Sequence, residues 1–165
     1  MQHTHAVTRD EPPEAGFTLI ELMIVVLIIA ILIAVMIPTF AGAKQRAQDR
    51  AAQSSLHNGL TAAKVVYSDH GDYTEATAVA LGAIEPALSF VAAGSASSGP
   101  NALSVDPVSK NYVVMAGQSK SGACFFVADD ASVGGVGARY AKVASGGCTA
   151  SGAPAPGDPA WGATW

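Results

Sequence analysis

The hydrophobic pattern divides the chain into three regimes. Residues 22–37 are sixteen apolar residues without a break, inside a 24-residue stretch, 17–40, whose one charge is Glu21. At about 1.5 Å per residue such a helix is roughly 36 Å long, enough to cross a hydrocarbon core of about 30 Å with some tilt. Lipid offers no partner to a free backbone donor or acceptor, so a lone span of this kind must be helical. From Ala41 to about Asp69 the apolar positions thin to a stripe. Ala52, Leu56, Leu60, Ala63 and Tyr67 recur every three or four residues on one helical face. No strict coiled-coil seam is present, so this face is expected to pack on a sheet. Lys44, Arg46, Asp49, Arg50 and Lys64 are expected in solvent, and Asn58-Gly59 weakens the middle by about 1 kcal/mol against alanine. Asp69-His70-Gly71-Asp72 ends the helix, with Gly71 free to turn left-handed.

Residues 74–100 mix short apolar pieces with the loop 94–100, which reads as a short helix and then a flexible connection. After Pro100 the period becomes two. Residues 102–105, 111–117, 122–128 and 138–144 read as four short strands. Turns are expected at Asp106-Pro107, at 117–122, and at Asp129-Asp130 with the glycines of 134–137. The fold class is therefore α+β, a long N-terminal helix packed on a small antiparallel sheet. The tail from Thr149 is rich in Gly, Ala and Pro and carries Trp161 and Trp165. It reads either as docked against the domain or a neighbour, or as loose.

Glu21 changes the picture of the span. A carboxylate there costs on the order of 3 kcal/mol, so it has a partner and a task unless it merely snorkels at the membrane edge. The residues before it, 1–16, are polar and contain Pro12-Pro13. They have no apolar core of their own, unlike a secretory signal cut after its hydrophobic stretch.

Gly16-Phe17-Thr18-Leu19-Ile20-Glu21-Leu22 resembles the leader-cleavage and N-methylation motif of type IV prepilins, residue for residue. The resemblance covers about the first 58 residues and the remainder in outline. It implies a prepilin peptidase that cuts between Gly16 and Phe17 and methylates the new Phe17 amine. It also implies that Glu21 meets the Phe17 ammonium of a neighbouring subunit during assembly. Pro38 stands where pilins commonly carry a proline near which the helix can melt in the fibre; a plain kink at the membrane exit is the alternative. The implied organisation is leader 1–16, membrane and assembly helix 17–40, amphipathic half-helix 41–72, variable connection 73–100, sheet domain 101–148 and tail 149–165. The leader departs from the short basic pattern of the family, setting Arg9 against Asp10, Glu11 and Glu14. The Tyr73-Thr74 turn, the Cys124 strand and the tryptophan tail look most like major pilins of Gram-positive actinobacteria.

The implied pairing is physically sound. An α-amine with a pKa near 8 is mostly cationic at neutral pH. Two unit charges 4 Å apart attract by about 4 kcal/mol at an effective dielectric near 20, and desolvation offsets part of this. Such a pair sets register more than it supplies adhesion. Phe17 and Glu21 are also one helical turn apart, so a contact within one chain is open.

Two cysteines, Cys124 and Cys148, fall in the part expected outside the cell. Exported pairs read as a disulfide, here closing a loop worth about 3–4 kcal/mol; two buried free thiols are the alternative. Lys44, Arg46 and Arg50 follow the span while Arg9 precedes it, so the positive-inside rule alone would put the C-terminal side in the cytoplasm. The cysteine pair and the family resemblance place it outside.

The formal net charge of −4 advertises no nucleic-acid surface, although Lys110, Lys120, Arg139 and Lys142 could form a local patch. Asp69, Asp72 and Glu75 lack EF-hand spacing and read as caps rather than a calcium site. No metal-ligand spacing, catalytic triad order or phosphate loop is present, so no cofactor and no enzyme activity are expected. The resemblance implies a structural subunit that polymerises with its own kind, with a prepilin peptidase, an inner-membrane platform and an ATPase as partners. It would be a single-pass membrane protein first and an extracellular fibre afterwards. A pseudopilin of a type II secretion system and a DNA-uptake minor pilin are the alternatives.

Overall fold

The computed structural model describes residues 16–144 and 146–165. The leader residues 1–15, including His3, His5 and Arg9, lie outside the described residues. The chain forms two compact units, one ending at Ala41 and the other spanning Gly42–Trp165.

Among its described residues, the first unit is helical from Leu19 onward. Helix α1 spans Leu19–His70, and its assignment continues through position 38. Thr39 donates its hydroxyl to Met36 O at 2.8 Å, one turn back. Apolar side chains in this part are about half to three-quarters exposed, from 45% at Val25 to 75% at Leu19. The described residues of this unit therefore form no core of their own.

The second unit is built around a five-stranded sheet in the order β1-β2-β3-β4-β5. The strands are β1 (Ser89–Ala92), β2 (Ala102–Ser109), β3 (Tyr112–Gln118), β4 (Cys124–Asp130) and β5 (Gly137–Val143). β1 and β2 pair in parallel, and the other neighbours are antiparallel. Helix α2 spans Ala78–Ile84 and is capped by Thr77, whose hydroxyl accepts from Ala80 N. β1 was not expected: residues 89–92 are too short an apolar run to declare a strand. Asp106-Pro107, expected as a turn, lies inside β2 at a register shift between Asp106 and Ser109. An irregular position accommodates proline, which has no N–H for the ladder.

The expected helical stripe is the core contact. Ala52, Leu56, Leu60 and Ala63 are buried, with Ala62 and Val66 beside them, against Leu103, Val105, Val113, Met115, Phe125 and Val127 of the sheet. The helix stops at Gly71, whose φ of +67° suits a residue without Cβ and whose N–H donates to Tyr67 O at 2.7 Å. The opposite sheet face is buried as well. Val114, Ala116, Phe126, Ala128 and Ala141 meet Trp161 and the Cys124–Cys148 disulfide. β3 and β4 are thus covered on both faces and read as continuous apolar runs, not as the alternation expected of a sheet with one wet side.

The tail is docked. Gly162 and Tyr140 exchange backbone hydrogen bonds at 2.8 and 2.9 Å, which extends the sheet edge beyond β5. Trp161 packs on the disulfide face and donates to Pro154 O and Ala155 O. Trp165 packs on the helix face beside Tyr140 and Phe125 and donates to Phe126 O at 3.1 Å. One short peptide therefore grips both faces of the sheet edge.

Candidate processing and assembly site

Gly16, Phe17 and Thr18 precede α1 as non-helical chain, and all three are exposed. A Cβ built on Gly16 would meet nothing within 4 Å, and Phe17 is 80% exposed. The Gly16–Phe17 peptide bond is consequently open to a protease cleft, immediately before the helix begins.

Thr18 starts the helix. Its hydroxyl accepts the Glu21 N–H at 3.3 Å and donates to Glu21 Oε2 at 3.3 Å, while its carbonyl accepts Leu22 N–H at 3.3 Å. Thr18-Leu19-Ile20-Glu21 has the spacing of a capping box. Here the acid reaches the cap hydroxyl rather than the cap backbone N–H. The first-turn position also sets the carboxylate against the positive end of the helix dipole. Sequence reasoning assigned Glu21 and missed Thr18, although the Thr-x-x-Glu spacing carried the signal. All three bonds are long, and the one that reaches the carboxylate, from the Thr18 hydroxyl, holds it loosely.

Beyond the cap, Leu22, Met23, Val26, Leu27 and Ala30 line a shallow apolar depression along α1. The described helix is long and apolar enough to cross a membrane, and none of its apolar window is buried.

Residues 12–37 match the family model described as the prokaryotic N-terminal methylation motif. The chain carries that motif. No curated protein and no solved structure matches the chain. With the motif placed ahead of a long helix packed on a mostly antiparallel sheet, the architecture is pilin-like. The motif supports processing by a prepilin peptidase, and the helix behind it has the length and apolar composition of a membrane anchor.

The remaining candidates lie in the second unit. Cys124 and Cys148 are joined, with Cα atoms 5.4 Å apart, and tie the start of the tail to β4. The four cations considered as one patch do not form one. Lys110 and Lys120 flank opposite ends of β3, a strand roughly 23 Å long at about 3.3 Å per residue. Lys142 pairs with Asp49 Oδ2 at 3.3 Å and stands over the Phe125 ring. Arg139 lines a cavity of about 290 Å³ with Tyr112, Asp130, Asp158 and Trp161.

Two residues expected in solvent prove structural. Asp49 also accepts from the Ser121 hydroxyl. Burial pushes its carboxyl pKa up, but hydrogen bonds from Ser121, Ser119 and Lys142 outweigh this and hold it below the ordinary range. Lys64 Nζ lies 3.0 Å from Asp129 Oδ1. That buried oxygen has no directional hydrogen bond, so the lysine charge is what compensates it. Asp129 Oδ2 accepts the Tyr73 hydroxyl at 2.6 Å. Burial, then the bond to Asp129 and its charge, push the Tyr73 phenol well above its ordinary value.

Asp72 caps the turn at Tyr73–Glu75, accepting Thr74 N–H at 2.8 Å. His57 stacks on Tyr140 at 6.0 Å between ring centres. Among the described residues, no group of three His, Cys, Asp or Glu is arranged to hold a metal ion.

Proposed function

We propose that this chain is the major structural subunit of a type IV pilus, not an enzyme. The observation that carries the reading is an exposed Gly16–Phe17 bond, inside a matched methylation motif, directly ahead of an apolar helix with nothing covering it. Prepilin peptidase cuts there and methylates the Phe17 nitrogen. The mature subunit waits in the cytoplasmic membrane until the platform and its ATPase draw it into the fibre. In the fibre, helices of neighbouring copies replace lipid around residues 17–40. That exchange removes little apolar surface from water, so specificity falls to packing and to Glu21. Glu21 meets the Phe17 ammonium of the next subunit, and Pro38 provides the place where the helix yields. The disulfide-closed, tail-clamped sheet domain faces outside.

The Cys124–Cys148 bridge favours this reading over a pseudopilin of a secretion system, whose major subunits tend to lack one. Sheared surface filaments, digested and analysed by mass spectrometry, are the test. A peptide beginning with N-methyl-Phe17 in those filaments is the expected result. Filaments without this chain, or a chain still carrying residues 1–16 in them, would end the proposal.

A further inference from the structure

The positive charges of the second unit are unevenly placed. Lys44, Arg46 and Arg50 on α1 are all exposed, and so is Lys120 in the β3–β4 loop. Lys44 and Lys120 line one shallow cleft with Ala47, Gln48, Ala51 and Pro100. None of the four lies in an ion pair among the described residues; the pairs there are Lys64–Asp129 and Lys142–Asp49. Asp49 is the one acid between Glu21 and Asp69, and it is already engaged by Ser121 and Lys142. Residues 107–128 contain no acid. The acids gather instead at the other end of the unit, in 69–75 and 129–130, where Tyr73 N–H bonds Lys110 O and Ala131 N–H bonds Asn111 O.

The angular placement distinguishes this cluster from a one-sided patch. At 3.6 residues per turn, Arg46 lies about 200° and Arg50 about 240° around the helix from Lys44. Lys120 stands on the Lys44 side. Lys44 and the two arginines thus stand on opposite sides of the helix, within about 9 Å of its rise. Along the chain Lys44, Arg46 and Arg50 follow Phe40 by four to ten residues. Cations on two sides of a helix, a few residues after an apolar span, suit a charged surface that surrounds the chain where it leaves the span better than a partner approaching from one side.

We infer that Lys44, Arg46, Arg50 and Lys120 form a cationic cluster that seats the unpolymerised subunit on the phosphate headgroups of an anionic membrane surface. The inference rests on the membrane reading above. It accounts for the cations that stand on the wrong side of the span by the positive-inside rule: the headgroups supply the counter-charge that the chain does not. Each cation near an anionic surface is worth about 1 kcal/mol, a factor of about five in local occupancy, and salt weakens it.

The test places the full processed chain in lipid nanodiscs of phosphatidylcholine alone or with one-third phosphatidylglycerol. Lysine acylation is then read site by site by mass spectrometry. Lys44 and Lys120 are expected to become about fivefold less reactive in the anionic discs relative to Lys110, with the protection lost in high salt. The variant combining Arg46→Gln and Arg50→Gln should weaken the protection of Lys44 and Lys120. Both substituted sites are exposed, and an intact disulfide in the same spectra checks the fold.

Equal reactivity in the two lipids overturns the inference. So does protection that requires added DNA, or that grows with the number of chains per disc, because the occupant is then a nucleic acid or a second copy. A chain that fails to co-elute with discs sinks the membrane reading together with this one. An inserted chain with unprotected lysines sinks this one alone.

Discussion

Gly59 on α1 faces Leu103 on β2 so closely that a Cβ at position 59 would stand 2.6 Å from Leu103 Cδ1 and 3.2 Å from Met115 Sδ. Leu103 and Met115 are fully buried, so neither can step aside freely. The glycine that costs the isolated helix about 1 kcal/mol is what lets helix and sheet approach. Gly59→Ala regains that propensity but overpacks the contact by about 1–3 kcal/mol, so a net loss of about 1 kcal/mol is expected. Gly59→Leu should cost more and disorder β2. Thermal melts in detergent under oxidising conditions measure both. A Gly59→Ala chain that melts above the parent would show that the contact is looser than described.

The Tyr73–Asp129–Lys64 chain joins the turn after α1 to β4 and to α1 itself. Tyr73→Phe leaves Asp129 Oδ2 without its donor and should cost about 1–3 kcal/mol at neutral pH. The phenol's folded pKa is raised, so the folded state favours the protonated form. Its contribution is whole below the unfolded value near 10 and shrinks as pH climbs beyond it. Urea titrations from pH 7 to 11 should show the parent losing stability above pH 10 more steeply than Tyr73→Phe. Parallel curves would remove Tyr73 from the alkaline limb.

Asp49 gives the opposite sign. Its folded pKa lies below the unfolded value near 4, so its contribution is present above that value and disappears as pH falls through the folded one. Asp49→Asn should destabilise the chain by about 1–3 kcal/mol at pH 7, through weaker bonds to Ser121 and Lys142. The gap between parent and variant should close only below about pH 4. Closure already at pH 6 would assign the effect to another group.

The helical stripe, its end at Gly71 and the α+β class were legible because each depends on local periodicity or on one backbone preference. Gly59 was legible as a defect and not as a contact, since the reason for it sits on β2, 44 residues away at Leu103. Asp49 and Lys64 looked like solvated charges for the same reason: Ser121, Lys142 and Asp129 reach them across the sheet. The doubly buried β3 and β4 depend on a tail whose Gly, Ala and Pro content shows no periodicity; only its two tryptophans hinted at docking. At the processing site the motif could be read directly from Gly16 to Leu22. The Thr18 cap was legible only through its Thr-x-x-Glu spacing, a weaker mark than the charge of Glu21 within an apolar span.

Glu21 has one observed contact and one proposed pairing, and the two separate experimentally. One is local, the bond to Thr18 that starts the helix; the other is the proposed pairing with the Phe17 ammonium of a neighbour. Glu21→Gln keeps the shape and an acceptor for the Thr18 hydroxyl but removes the charge. Thr18→Val removes the cap and keeps the charge, at a cost of about 1 kcal/mol to the helix start. A pair worth a few kcal/mol before desolvation predicts at least about a tenfold loss of fibre incorporation for Glu21→Gln, with membrane insertion unchanged. Thr18→Val should lose only a few-fold. Each variant is co-expressed with the parent, and the fibre-to-membrane ratio is read from variant-specific peptides by mass spectrometry. If Glu21→Gln enters fibres at the parental ratio while Thr18→Val does not, the carboxylate serves the cap alone and the pairing between subunits is discarded.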